Sequence, residues 1–411
     1  MNGTWSQVAS LQSGYVPDAF ASAVLADGRV LISGGEYNNG NFVLTNMGAI
    51  YDPVANTWTP LGHPANWPNI GDSPSVVLPN GLFLVGDKLN MNMATLDPTT
   101  LTWTEVGSAG KSDFNAEEGW TLLPDGTVLT ADVKNTPNTE LYTPSTGRWV
   151  SQGNTPSKLA APSTSGPIKY PGGVYDPPGE IGPAILRPDG TVFATGASNN
   201  RAGKTAVYHP ATTPGGKGTW TAGPNFPSDA AGDSSAALLV NGNVLVLGNS
   251  GQLYEFNGTN LTPTLKPGRV AYLMVLPTGQ VILTGGKIQV YNSTGTYSKT
   301  WAPTITSAPT SVTRGSTYQI FGTQFNGLSQ AASYGDEEQT ATNYPLVRIT
   351  NNATGHMFYA RTHNHSTMGV ATGSAIVNTM FDLPASAETG ASKLVVVANG
   401  IPSTAVNVTV N

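Results

Sequence analysis

The chain has no cysteine among its 411 residues, which excludes disulfide staples, thiolate nucleophiles and cysteine-ligated metals. Charge is scarce: 11% of residues are Asp, Glu, Lys or Arg, against roughly 25% in an average soluble domain. The 19 Lys and Arg are scattered and outnumbered by 25 Asp and Glu, for a formal charge of −6. Nucleic acid is therefore excluded as a partner, because phosphate binding needs clustered cations. No apolar run approaches the ~18 residues of a membrane span, and the longest stretches, such as Ala236–Val240 and Lys393–Ala398, are strand-sized. What abounds is Gly (48) and Pro (31), so turns are frequent. Met1-Asn2-Gly3-Thr4-Trp5 enters a strand-like motif without a signal peptide, and the Ser/Thr/Asn/Gly-rich composition leads us to expect an extracellular or periplasmic location for a chain beginning at a mature boundary.

A strand–turn–strand unit recurs six times, over Ser22–Leu31, Val76–Leu84, Thr121–Leu129, Ala184–Phe193, Ala237–Leu245 and Met274–Ile282. Its turns are Asp27-Gly28, Asn80-Gly81, Asp125-Gly126, Asp189-Gly190, Asn241-Gly242 and Thr278-Gly279, supplying the positive φ that a tight hairpin demands. Continuous apolar runs on either side fit strands buried on both faces. A third strand follows, as at Tyr51-Asp52-Pro53 and Leu96-Asp97-Pro98, and then a fourth centred on Trp58, Trp103, Trp149 or Trp220. Four strands per repeat of roughly 40 to 50 residues make one blade of a kelch-type β-propeller. The expected fold is all-β: six blades over residues 1–303, or seven if Gly153–Gly173, read as a loop, hides strands. The N-terminal Asn2–Ser6 reads as a fourth strand that closes the last blade. From Thr304 the period stops, and short alternating strands over 304–411 predict an immunoglobulin-like β-sandwich.

On these repeats, and on the C-terminal stretches Ser333-Tyr334-Gly335, Tyr344–Asn352, Phe381-Asp382-Leu383-Pro384 and Ala398–Ser403, the chain resembles galactose oxidase and the wider copper-radical oxidases over nearly its whole length. The resemblance implies a propeller with an immunoglobulin-like C-terminal domain. It does not imply their chemistry, which needs copper on two tyrosines and two histidines with one tyrosine linked to cysteine. Arg269 and Val270 stand where the family has its adjacent Tyr-His pair, and Gln339 stands where the C-terminal loop delivers the other histidine. No Cys-Tyr radical cofactor is expected.

Loops converge on a propeller's axis where the innermost strands begin. Eight or nine positions before the six turns stand Asp18, Asp72, Glu117 (with Glu118 beside it), Glu180, Asp233 and Arg269. Such carboxylates can simply cap turns. If they converge, their repulsion must be relieved by raised pKa values, by Arg269, or by a bound cation such as Ca²⁺. Asp72, Glu117, Glu118, Glu180 and Asp233 are candidate acid, base or nucleophile for glycoside hydrolysis or elimination. Asp18, Arg269, Trp67, Trp120, Tyr175 and Gln339 are candidate substrate contacts, the aromatics as platforms for sugar rings. His363 and His365 share one face of a strand and are candidate metal ligands, although that face also suits packing against the propeller. The leading expectation is a carbohydrate-active or carbohydrate-binding protein with a polysaccharide or oligosaccharide partner. The alternatives are a non-enzymatic adhesion or structural module, and a mononuclear metal oxidoreductase using His363 and His365.

Overall fold

In the computed structural model, residues 5–200, 202–213, 216–334 and 341–411 are described. Their secondary structure is strand, apart from turns and one 3₁₀ turn at Lys299–Trp301. Five four-stranded meanders follow one another along the chain. The first comprises Ala21–Val24, Val30–Ser33, Gly48–Asp52 and Thr57–Leu61, and the second Ser75–Val77, Phe83–Gly86, Met93–Asp97 and Thr102–Val106. The third, fourth and fifth begin with innermost strands Thr121–Leu122, Ala184–Leu186 and Ser235–Leu238. A sixth meander, Tyr272–Val275, Val281–Thr284 and Gln289–Tyr291, has three strands.

Innermost strands are buried on both faces, as at Ser75–Val77 and Ser235–Leu238, whereas the fourth strand of the first meander is mostly exposed. Neighbouring meanders share core: Leu25 and Ile50 pack with Val77 and Phe83, Leu122 with Leu186, and Phe193 with Phe256 and Leu273. Sheets joined in this order through shared core are propeller blades, and the described residues form six.

Each inner hairpin turns on a glycine at φ between 80° and 86°: Gly28, Gly81, Gly126, Gly190, Gly242 and Gly279. Only the glycine takes positive φ. The residue before it uses its side chain instead, as Asp27, Asp125 and Asp189 each accept from the amide two residues on at 3.0 Å. The fourth-strand tryptophans pack on an aromatic of the preceding strand, with centroids 5.0 Å apart for Trp58 and Tyr51 and 5.1 Å for Trp220 and Tyr208.

Two expectations are corrected. Of the closing strand expected at Asn2–Ser6, residues 2–4 lie outside the described residues, Trp5 and Ser6 form no strand, and by Ala9 the chain lies against the first blade. Trp58 Nε1 donates to the Ala9 carbonyl at 2.9 Å and Asn56 Oδ1 accepts from the Ala9 amide at 2.9 Å, so the first blade's outer edge claims this segment. Nor is Gly153–Gly173 a plain loop. It enters a two-stranded hairpin, Ile168–Tyr170 with Gly173–Tyr175, which is too small to be a seventh blade.

Among the described residues of 304–411, nine strands pair in one sheet around a separate core that includes Ile320, Phe325, Val347, Phe381 and Val396. This unit meets the propeller on the face that carries the inner hairpin turns. Arg361 Nη2 donates to the Asp27 carbonyl at 3.1 Å, the His365 amide to Ala26 at 2.9 Å and the Thr367 hydroxyl to Pro79 at 2.9 Å. From it, Ala332–Tyr334 enters the central channel and pairs with Ser235–Ala237 on the fifth blade's innermost strand. Gln330 Oε1 accepts the Leu122 amide at 3.2 Å, so the same segment also grips the third blade. The channel is plugged, and Tyr334 reaches the end where the innermost strands begin.

Candidate active site

At that end, the mouth, a strand-one start and a strand-two end lie side by side in every blade. The Glu36 amide donates to the Ala19 carbonyl at 2.9 Å and that of Lys88 to Ile70 at 3.2 Å, which brings the residues after strand two into the same ring. Lys88 is the centre of the site. Fully buried, its ammonium lies 2.5 Å from Asp72 Oδ2 and 2.7 Å from Glu117 Oε1, and 5.2 Å above the ring of Tyr175. The Tyr175 hydroxyl donates to the same Glu117 oxygen at 2.6 Å. Oxygens of Glu117, Glu180 and Asp233 all lie within 4.8 Å of one another.

One lysine cannot neutralise so many carboxylates. Burial raises Glu180 to about 9, reinforced by the charges of Glu117 and Asp233. Asp233 stands on the exposed rim, but its carboxyl is hemmed in and rises to about 6, through desolvation first and the charge of Glu117 second. Burial also raises Asp72, against the pull of Lys88, and Glu36, which feels Glu117 and Asp233 as like charges. The repulsion that convergence implies is therefore relieved in part by protonation and in part by Lys88.

Backbone geometry sets these directions. Glu117 and Asp233 have φ of 61° and 48°, a left-handed conformation that costs roughly 1 kcal/mol or more for a residue with a Cβ. At Glu117 this conformation sends the next side chain elsewhere. Glu118 does not reach the mouth: it is buried within the third blade, 2.7 Å from Lys111 Nζ, which also meets Glu140 at 3.0 Å. Burial pushes Glu118 up to about 8 even so. Glu118, Asp132 and Glu140 have oxygens within 4.8 Å of one another, and Lys111 bridges Glu118 and Glu140 as an internal cation.

Other expected site residues are also placed elsewhere. Asp18 is exposed and accepts the Ala19 amide at 3.1 Å, as a turn cap does. Trp67 and Trp120 are 2% exposed and belong to the core between blades, where Trp67 Nε1 donates to Glu105 and Trp120 packs on Trp149. His363 and His365 lie at the opposite face from the mouth. His363 Nε2 is 3.1 Å from Asp382 Oδ1 in an ion-pair group with Arg361, and buried His365 faces Thr379 Oγ1 at 2.8 Å with its pKa lowered to about 4 by desolvation. Among the described residues neither joins a group of three metal-ligating side chains. Gln339 lies outside the described residues.

Two hairpins meet over one side of the mouth. Phe42, from the first blade's insertion Tyr37–Asn38 with Asn41–Phe42, stacks on Tyr175 at 6.0 Å and meets Tyr170 edge-on at 5.9 Å. On the other side, between blades five and six, a cleft of roughly 490 Å³ opens, lined by Asp233, Asn249, Lys266, Arg269 and Tyr334 among others. Arg269 thus stands at the mouth, but across this cleft rather than as counter-ion to the carboxylates.

Glu117, Glu180 and Asp233 are close enough to share a hard divalent cation, and they equally form an acid–base cluster. No family model matches the sequence, and no curated protein matches it. Among solved structures it is similar to a fungal alcohol oxidase in complex with copper, at 13% identity and a TM-score of 0.45 over 100% of this chain and 99% of that one. It is also similar to a catalytically inactive virginiamycin B lyase from Staphylococcus aureus with quinupristin, at 13% identity and a TM-score of 0.48 over 69% of this chain and 87% of that one. Likenesses at this level carry no argument about this chain. The propeller rests on the sheets described above.

Proposed function

We propose that the protein is an extracellular carbohydrate-active enzyme that cleaves a glycosidic bond with Glu180 as general acid and Asp233 as its carboxylate partner. The observation that carries this reading is the approach of three carboxylates, Glu117, Glu180 and Asp233, to within 4.8 Å of one another beside Lys88, which contacts Glu117; with Glu180 raised to about 9 and Asp233 to about 6, the first is the acid and the second its ionised partner. Glu117, fixed by Lys88 and Tyr175, is the charge that helps keep the proton on Glu180. Aromatic side chains at the rim and a cleft beside Asp233 suit a sugar chain.

Carboxyl groups about 5–5.5 Å apart serve double displacement, whereas inversion needs about 6.5–9.5 Å to admit water. Oxygens within 4.8 Å favour the former. In the first step Asp233 attacks the anomeric carbon and the glycosidic oxygen departs with the proton of Glu180, leaving a glycosyl ester on Asp233. In the second, Glu180 takes a proton from water, whose oxygen replaces Asp233 on the sugar. Retained anomeric configuration is the expected product signature, read by proton NMR of fresh digests.

The pH profile follows from the same two groups. Activity should rise through about 6 as Asp233 ionises and fall through about 9 as Glu180 loses its proton, a bell belonging to the coupled pair. Digesting a panel of polysaccharides across this range and separating the products checks it; a profile flat across both limbs would be incompatible with these roles. The three-carboxylate spacing also favours a second reading, a divalent cation in place of the shared proton. Activity that is lost to a chelator and restored by calcium would select it.

A further inference from the structure

The cleft between blades five and six holds two cations that pair with no described carboxylate. Lys266 and Arg269 line it together, and neither forms an ion pair with any described carboxylate, although Asp233 lines the same cleft. Lys88 and Lys111 are each enclosed by carboxylates, and Arg29, Arg187 and Arg361 each hold an aspartate. Beside the acid–base cluster, two cations in one cleft that pair with no described carboxylate are positioned for a negative group brought by a ligand.

The same cleft supplies a ring platform. Tyr334 lines it, and Tyr272 backs Tyr334 with ring centroids 5.4 Å apart. A pyranose laid on Tyr334 would share the cleft with Asp233, Arg269 and Lys266. From this arrangement we infer that the substrate is an acidic glycan, whose carboxylate or sulfate is held by Arg269 and Lys266 in the sugar unit next to the bond being cut. The inference rests on the glycoside-cleaving reading above and names its substrate class. Local cations suit such a substrate, since the Asp233 carboxylate in the same cleft would otherwise repel it.

The test uses the full-length Glu180→Gln protein, so that ligand is not consumed. It is titrated calorimetrically with polygalacturonate and polymannuronate oligomers, with both after carboxyl reduction, and with a sulfated galactan oligomer. At least tenfold tighter binding of an acidic oligomer than of the neutral ones, shrinking as salt is raised, is expected, and the acidic oligomer that binds best distinguishes carboxylate from sulfate. Adding Arg269→Ala and Lys266→Ala should erase the preference while leaving any neutral-oligomer affinity in place. Equal binding of acidic and reduced oligomers, no binding of any, or a preference that survives the double substitution would overturn the inference. Its fate is separable from that of the acid–base reading: wild-type cleavage confined to neutral glycans sinks the former alone, and undiminished turnover by Glu180→Gln sinks the latter alone.

Discussion

Replacing Lys88 with methionine should destabilise the protein by about 3–5 kcal/mol, the cost of leaving buried charge without its partner. The ammonium is fully buried and contacts Asp72 and Glu117 at once, while Glu36, Glu180 and Asp233 also feel its charge. Methionine keeps the apolar stem and removes only the cation. The loss should therefore depend on pH: carboxylates that cannot be neutralised by Lys88 can still be neutralised by protons, so denaturant midpoints of variant and wild type should converge on acidification towards pH 4 and diverge near pH 8. A variant equally stable at both pH values would show that Lys88 does not hold the mouth together.

Replacing Glu180 with glutamine should have the opposite pattern, abolishing turnover without lowering the melting temperature. A missing general acid costs about 10²–10⁴-fold. For stability the sign runs thus: a carboxyl with a folded-state pKa raised to about 9 from an ordinary value of 4.5 keeps its proton in the native state while the unfolded chain releases it. Stability is undiminished below pH 4.5 and falls as pH climbs towards 9. Glutamine carries no such penalty, so the variant should match the wild type at pH 4 and equal or exceed it at pH 8. Thermal melts at those two values decide the point, and a variant less stable at both would make Glu180 a structural cap.

The six blades were legible because each repeats one device, a glycine at φ near 80° between two apolar strands, as at Gly28 and Gly279. Asp72, Glu117, Glu180 and Asp233 were legible for a related reason: they share a place before that turn, and strand geometry carries the shared place to the axis. Lys88 and Glu36 escaped because counting began only from the starts of innermost strands. The ends of second strands reach the same mouth, so Gly34-Gly35-Glu36 and Gly86-Asp87-Lys88 are the signal that was available. Glu118 misled because sequence adjacency says nothing of the positive φ at Glu117 that separates the two side chains. Trp67 and Trp120 misled because a tryptophan beside a mouth carboxylate and one wedged between blades occupy the same stretch of sequence; burial to 2% is a tertiary fact. Trp5 and Ser6, the described part of the closing strand expected at Asn2–Ser6, form no strand, and three residues on, the first blade's outer edge offers Trp58 and Asn56 to the backbone of Ala9.

The claim on which the rest depends is that Glu180 is a neutral acid at physiological pH. Infrared difference spectroscopy between wild type and Glu180→Gln reads this directly. At pH 7 the wild type should show a protonated-carboxyl stretch that the variant lacks, and this band should give way to carboxylate absorption as pH is raised through about 9. A difference spectrum at pH 7 showing only loss of ionised carboxylate would contradict the account.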